Sequence, residues 1–146
     1  ESGNCIECNL NGADLSEMNL SGANLSGADL SGANLKKTNL FFTNFSGANL
    51  SKTDLSHTGL YQANFSRANL TESNLTKSDL VEANFIGANL TRANLNYSYL
   101  NFSNLTGANL YGATLIGAVL DGSYYKDAIV CNTKFSPGYV SNYGCK

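Results

Sequence analysis

The 146 residues include no tryptophan and only one proline, one histidine and one methionine, and 14% of positions are charged. Each shortage removes a class of function. A single histidine leaves no pair of imidazoles for a metal or a proton relay. No run of about 18 apolar residues occurs, so no segment reads as a membrane-spanning helix. Nine Lys plus Arg against 11 Asp plus Glu, a net charge of -2, provide no basic stripe for nucleic acid. The usual hydrophobic periods of helix and strand are also missing.

What is present is a period of five. Leu or Phe stands at every fifth position from Leu10 to Leu120, giving 23 repeats. Two residues before each centre, from Ala13 to Ala118, the chain has Ala 13 times and Ser or Thr 8 times, with Met18 the exception. The position just before the centre is Asn or Asp in 18 of 22 cases, failing at Gly59, Tyr99, Thr114 and Val119. Asn, Asp, Gly and Ser form turns readily and helices poorly. A chain that turns every five residues, with one large and one small side chain inward, makes a solenoid with a narrow core.

The frame, seen in Ala23-Asn24-Leu25-Ser26-Gly27, resembles the pentapeptide repeat family. That resemblance implies an all-β, right-handed quadrilateral β-helix with twenty residues per coil, forming a single solenoid domain. The expected limits are an N-terminal cap over 1–9, coils over 10–125 and a C-terminal cap over 126–146. Spacings of twenty agree: Phe45, Phe65 and Phe85 replace leucine and would stack in one column, and Thr38, Thr58, Ser78 and Ser98 would form an inward hydroxyl ladder between coils. β-type coils about 4.8 Å apart make a rod roughly 28 Å tall. Its stability is a sum of neighbour terms, and its ends need capping.

Both ends depart from the frame. Cys5 and Cys8 lie at one, Cys131 and Cys145 at the other, in a tail that holds the only proline, Pro137. A disulfide needs Cα atoms within about 7 Å, so on a rod the bridges can only be Cys5 with Cys8 and Cys131 with Cys145. Free thiols, a redox pair or zinc remain the rival readings. Redox chemistry wants a helix N-terminus, and zinc wants about four ligands. The Cys-Asn-Thr to Gly-Cys tail resembles secreted and lumenal family members, abundant in cyanobacteria. With bridges at both ends it points to the periplasm or thylakoid lumen. A chain starting at Glu1 reads as a mature form after removal of a targeting peptide.

Function then rests on the outward positions. His57 shares a column with Lys37 and Lys77, a solvated side, and Asp14, Asp29, Asp54 and Asp79 occupy the turn-forming slot. The leucine-filled interior predicts no pocket. Neither catalytic residues nor a cofactor or metal are implied. Lys52, Glu72 and Arg92 alternate in sign as a ladder of weak surface pairs. Phe41, Tyr61 and Val81, with Phe42 and Phe102 in the adjoining column, form an exposed patch that fits either a partner surface or inter-coil packing, extended by Tyr97 and Tyr99. The reading is a monomeric, non-enzymatic interaction scaffold for a protein partner. Mimicry of DNA toward an enzyme such as DNA gyrase, a known family activity, is the alternative; Lys36, Lys37, Lys52, Arg67, Lys77 and Arg92 interrupt any acidic side. Ice binding needs an outward Thr array, and the threonine column points inward.

Overall fold

The computed structural model describes residues 3–136 and 138–145. Glu1, Ser2, Pro137 and Lys146 lie outside the described residues, and with them the expected start of the mature chain and the single proline of the C-terminal cap. The chain turns at every repeat. At nearly every repeat the centre's carbonyl accepts the N–H three residues on, as when Ala13 donates to Leu10 at 3.0 Å. Every fifth residue from Glu7 to Asn132 has positive φ, for example Gly47 at 66° and Lys52 at 57°. Positive φ confined to the third residue of such a turn is the mark of type II. Sixteen of these corners hold residues other than glycine, so each carries a left-handed strain of about 1 kcal/mol that the coil contacts hold in place.

Isolated parallel pairings join positions twenty apart, from Asn4 with Asn24 to Thr114 with Lys134. Twenty residues and four turns make one coil, and the molecule is a right-handed quadrilateral β-helix. Among the described residues there is no α-helix. A single repeat explains the sequence frame, because backbone donors must be satisfied somewhere. Asn64 donates to Thr43 O at 2.9 Å in the coil before, while Phe65 and Arg67 donate to Asn84 O and Ile86 O at 2.7 and 2.9 Å in the coil after. Ala68 donates to its own turn at Phe65 O, 3.0 Å. That leaves the N–H of Ser66, which the Asn64 side chain accepts at 3.0 Å. The Asn or Asp slot thus supplies the acceptor that the backbone lacks. Its amide also climbs the rod: Asn64 Nδ2 donates to Asn44 Oδ1 at 3.2 Å, and Asn44 to Asn24 at 3.1 Å.

From Ala23 to Leu115 the centres and the alanines fill the interior almost without exposure, and those nearer either end are partly buried. Phe45, Phe65 and Phe85 form one parallel stack, with centroids 5.1 and 4.9 Å apart and planes within 5°. The hydroxyl column is inward but is not a hydroxyl-to-hydroxyl ladder. Thr38 and Thr58 donate to Leu15 O and Leu35 O at 2.9 Å in the preceding coil, whereas Ser78 and Ser98 donate to Leu75 O and Leu95 O within their own turn. In this column threonine therefore staples two coils, and serine only tightens its own turn.

The coiled backbone overruns the expected limits of 10–125. Pairing starts at Asn4 and reaches Lys134, because Cys5 and Val130 take centre positions and pack against the core without being Leu or Phe. A hairpin then follows, β1 (Thr133–Ser136) against β2 (Tyr139–Ser141), antiparallel. Cys5 pairs with Cys8 at a Cα separation of 5.2 Å, and Cys131 with Cys145 at 4.9 Å. The expectation of no pocket fails at this end. Tyr125 stands in a centre position yet is 65% exposed, and a half-open cleft of about 1170 Å³ lies there above the almost wholly buried Leu105, Leu110 and Leu115.

Candidate functional site

The four sides of the rod are not equivalent. Three carry rungs of Asn or Asp side chains between coils, such as Asn69 to Asn49 to Asp29 at 3.2 and 3.0 Å. The fourth, centred on Leu40, Leu60, Leu80 and Leu100, reads Asn39, Gly59, Asp79, Tyr99, Val119 in the same slot. Three of the four departures from Asn or Asp therefore share one side, and among the described residues no amide rung crosses it.

Aromatic side chains gather on that side and at its two edges. Tyr97 at one corner, Tyr99 on the flat and Phe102 at the next corner belong to one coil and are each more than half exposed. Further along, Phe41, Phe42 and Tyr61 meet edge to face with centroids 5.7 to 6.5 Å apart. Such contacts stabilise beyond simple area burial. Gln62 and Glu82 separate the two groups: Gln62 Nε2 donates to Glu82 Oε2 at 2.6 Å, and the Tyr61 hydroxyl to Glu82 Oε1 at 3.2 Å. Burial, then the adjacent Glu82 carboxylate, push the Tyr61 phenol above its ordinary pKa.

This redraws the patch expected from sequence. Phe41, Tyr61 and Val81 are half-buried, not exposed, and a Cβ on Gly59 would come within 2.5 Å of the Phe41 ring. Gly59 is glycine because Phe41 lies across its backbone, which makes Phe41 packing. Tyr97 and Phe102 cover Gly117 and Gly122 in the same manner but keep most of their rings in solvent. Phe42, Tyr97, Tyr99 and Phe102 are the exposed members. The signal for Tyr99 was visible as a break in the Asn column.

Charges are dispersed. Of the Lys52, Glu72, Arg92 column, the Arg92–Glu72 pair forms at 3.7 Å and, among the described residues, Lys52 does not join it, while Lys37 pairs with Glu17 at 3.3 Å. His57 is an exposed corner. Asp14 and Asp29 are held below the ordinary carboxylate pKa, chiefly by the hydroxyls of Ser16 and Ser31, and then by the backbone N–H of the same residues. Among the described residues no three His, Cys, Asp or Glu side chains gather in a way that could hold a metal ion. Among them no helix is long and apolar enough to cross a membrane.

The molecule is a side-chain-filled, four-sided solenoid with one side unlike the other three. The repeat frame matches the family model for pentapeptide repeats in 8 copies, over residues 4–40, 63–96 and 83–122, and the chain belongs to that family. Comparison with curated proteins returns no match. Among solved structures, the pentapeptide repeat protein of the Arabidopsis thaliana thylakoid lumen is 20% identical with a TM-score of 0.48, over 80% of this chain and 63% of that one, so this chain spans less than two thirds of its length. HetL, involved in heterocyst differentiation regulation in the cyanobacterium Nostoc, is 25% identical with a TM-score of 0.31, over 94% and 92%. A trypsin-treated form of QnrB1, a plasmid-mediated fluoroquinolone resistance protein, is 19% identical with a TM-score of 0.45, over 92% and 73%.

Proposed function

We propose that the protein is a non-enzymatic scaffold, monomeric and free of cofactors, that binds a protein partner through its aromatic side. The coincidence of two features on one side carries this reading. The side that gives up its amide rungs is the side that exposes Phe42, Tyr97, Tyr99 and Phe102. Structure is weakened locally where surface chemistry is gained, as functional sites commonly do. Exposed aromatics grouped on one surface are the usual anchors of protein interfaces. Two disulfides, with no free cysteine among the described residues, favour an oxidising compartment such as the periplasm or thylakoid lumen. Mimicry of DNA toward gyrase has less support, since Arg67, Lys77 and Arg92 interrupt the acidic positions.

The test is affinity capture from native extract with the oxidised protein and with a variant combining Phe42→Arg, Tyr97→Arg, Tyr99→Asn and Phe102→Arg. The design follows the fold: Arg67 and Arg92 already sit at such corners, with φ of 57°, and lay their stems over Gly87 and Gly112. Asn at 99 restores the repeat. A partner captured by the wild type and lost from the folded variant supports the reading; identical capture by both overturns it.

A further inference from the structure

The aromatic side also leaves backbone donors without acceptors. The residue after each centre normally donates its N–H to the Asn or Asp side chain two places earlier. From Asn11 to Asp121 the residues in that position with no acceptor among the described residues are Tyr61, Asn101 and Asp121. All three stand on one corner of the aromatic side, two places beyond Gly59, Tyr99 and Val119. The fourth departure from the slot, Thr114, is on another side, and there Asn96 Oδ1 takes the Ile116 N–H at 2.8 Å. The gap is repaired elsewhere and left open here. At Gly59 the place of a slot side chain is filled by the Phe41 ring, 2.5 Å from where a Cβ would stand. Asn101 and Asp121 remain as a pair of open donors one coil apart, about 4.8 Å, next to the exposed Tyr99 and Phe102.

Only the donors are open. Asn101 O accepts the Glu82 N–H at 2.9 Å, and Asp121 O accepts the Phe102 N–H at 3.0 Å. A surface of rings and donors without acceptors selects among peptide conformations. An added β-strand brings N–H and C=O groups together and needs partners for both, while a helix satisfies its own backbone. A polyproline II segment makes no internal hydrogen bonds, and its prolines have no N–H, so it offers carbonyl acceptors alone. Aromatic-lined surfaces are the usual receptors for such segments. Glu82 and Asp121 stand on the donor corner and Asp79 on the flat, with Lys37 and Lys77 at the opposite corner, so the donor corner favours a basic flank in the ligand.

We propose that the partner docks through a proline-rich segment in the polyproline II conformation, flanked by basic residues. Its prolines lie against Tyr97, Tyr99 and Phe102, and its carbonyls accept from the N–H groups of Asn101 and Asp121. This rests on the partner-binding reading and specifies the ligand of the same side.

A fluorescein-labelled oligoproline with arginine at both ends is titrated into the full oxidised chain and followed by fluorescence anisotropy, beside a Gly-Ser peptide of equal length and charge. Saturable binding is expected, at least tenfold tighter for the oligoproline. Val119→Asn restores the repeat and an acceptor for the Asp121 N–H while keeping every exposed ring, and is expected to fold and to weaken oligoproline binding at least threefold. Val119→Thr keeps the shape and supplies no such acceptor, as Thr114 shows, and is expected to bind as the wild type does. In the wild type the amide resonances of Asn101 and Asp121 must move on adding oligoproline. Four results overturn the proposal: no saturable binding, equal binding of the Gly-Ser peptide, unchanged binding in folded Val119→Asn, or unmoved amide resonances. Oligoproline is also added to the affinity capture. A partner lost from the variant altered at Phe42, Tyr97, Tyr99 and Phe102, yet not displaced by oligoproline, leaves the scaffold reading standing and sinks this inference. Equal capture by wild type and variant sinks both.

Discussion

Replacing Asn64 separates the two tasks of the repeat's polar slot. Asn64 Oδ1 is the acceptor for Ser66 N–H at 3.0 Å, and Nδ2 is the donor to Asn44 Oδ1 at 3.2 Å. In Asn64→Ala both bonds vanish and the Ser66 N–H, half-buried at a corner, loses its only acceptor in the protein. A net bond is worth about 1 kcal/mol and an orphaned donor about as much again, so the expected loss is about 2 kcal/mol. At this chain length that is a fall of about 4–8 °C in melting temperature. Asn64→Asp keeps the acceptor and loses the donor, so it should cost about 1 kcal/mol. Urea unfolding followed by circular dichroism measures both. Alanine no more costly than aspartate would refute the claim that the turn acceptor matters, and alanine within 0.5 kcal/mol of wild type would remove both roles.

Other consequences are equally direct. Phe65→Ala removes the middle of the stack, between neighbours at 5.1 and 4.9 Å, and should cost about 3–5 kcal/mol by denaturant midpoint; a loss under about 1 would mean the rings contribute little. Replacing Cys131 and Cys145 by serine, which opens a loop of sequence separation 14, should cost about 3 kcal/mol. Replacing Cys5 and Cys8, separation 3, should cost less, and the reverse order in thermal melts would contradict loop-closure reasoning. The pKa values of Asp14 and Asp29 are depressed in the fold, so their contribution is complete above the unfolded carboxylate range and is lost as pH falls below about 4. Asp14→Asn with Asp29→Asn should flatten the acid limb of melting temperature against pH, and an unchanged limb would locate the acid sensitivity elsewhere. Gly117→Ala, where φ is +70° and a Cβ would sit 2.6 Å from the Tyr97 ring, should destabilise more than Gly47→Ala, where nothing stands within 4 Å. Equal melting temperatures would refute that ring contact.

The architecture was legible because period is a global property. A five-residue frame admits few foldings, and the twenty-residue coil that the family resemblance implies, with which the phenylalanine spacing agrees, put Phe45, Phe65 and Phe85 in one column. Partnership was less legible. Sequence shows that Asn recurs but not that it holds the N–H two residues on, because acceptor identity depends on which donors the coils leave over. It shows threonine and serine as equals, whereas their hydroxyls choose carbonyls in different coils. Phe41 and Phe42 are adjacent and chemically identical, yet one lies across Gly59 and the other faces solvent, a distinction of corner geometry. The cleft was hidden because Tyr125 keeps the spacing of a centre while its side chain turns out.

Because each backbone partner stands twenty residues away, the rod can change length only in whole storeys. Deleting residues 46–65 would drop Phe85 onto Phe45 and leave every flank in register, giving the same tower one floor lower. Deleting five would turn everything after the cut by a quarter revolution, carrying Tyr97, Tyr99 and Phe102 away from the flank that bears Phe42 and winding a vertical stripe into a spiral. Duplication and loss during descent are constrained alike: a recognition stripe survives insertions of twenty and is scattered by insertions of five, however well each repeat obeys its own frame.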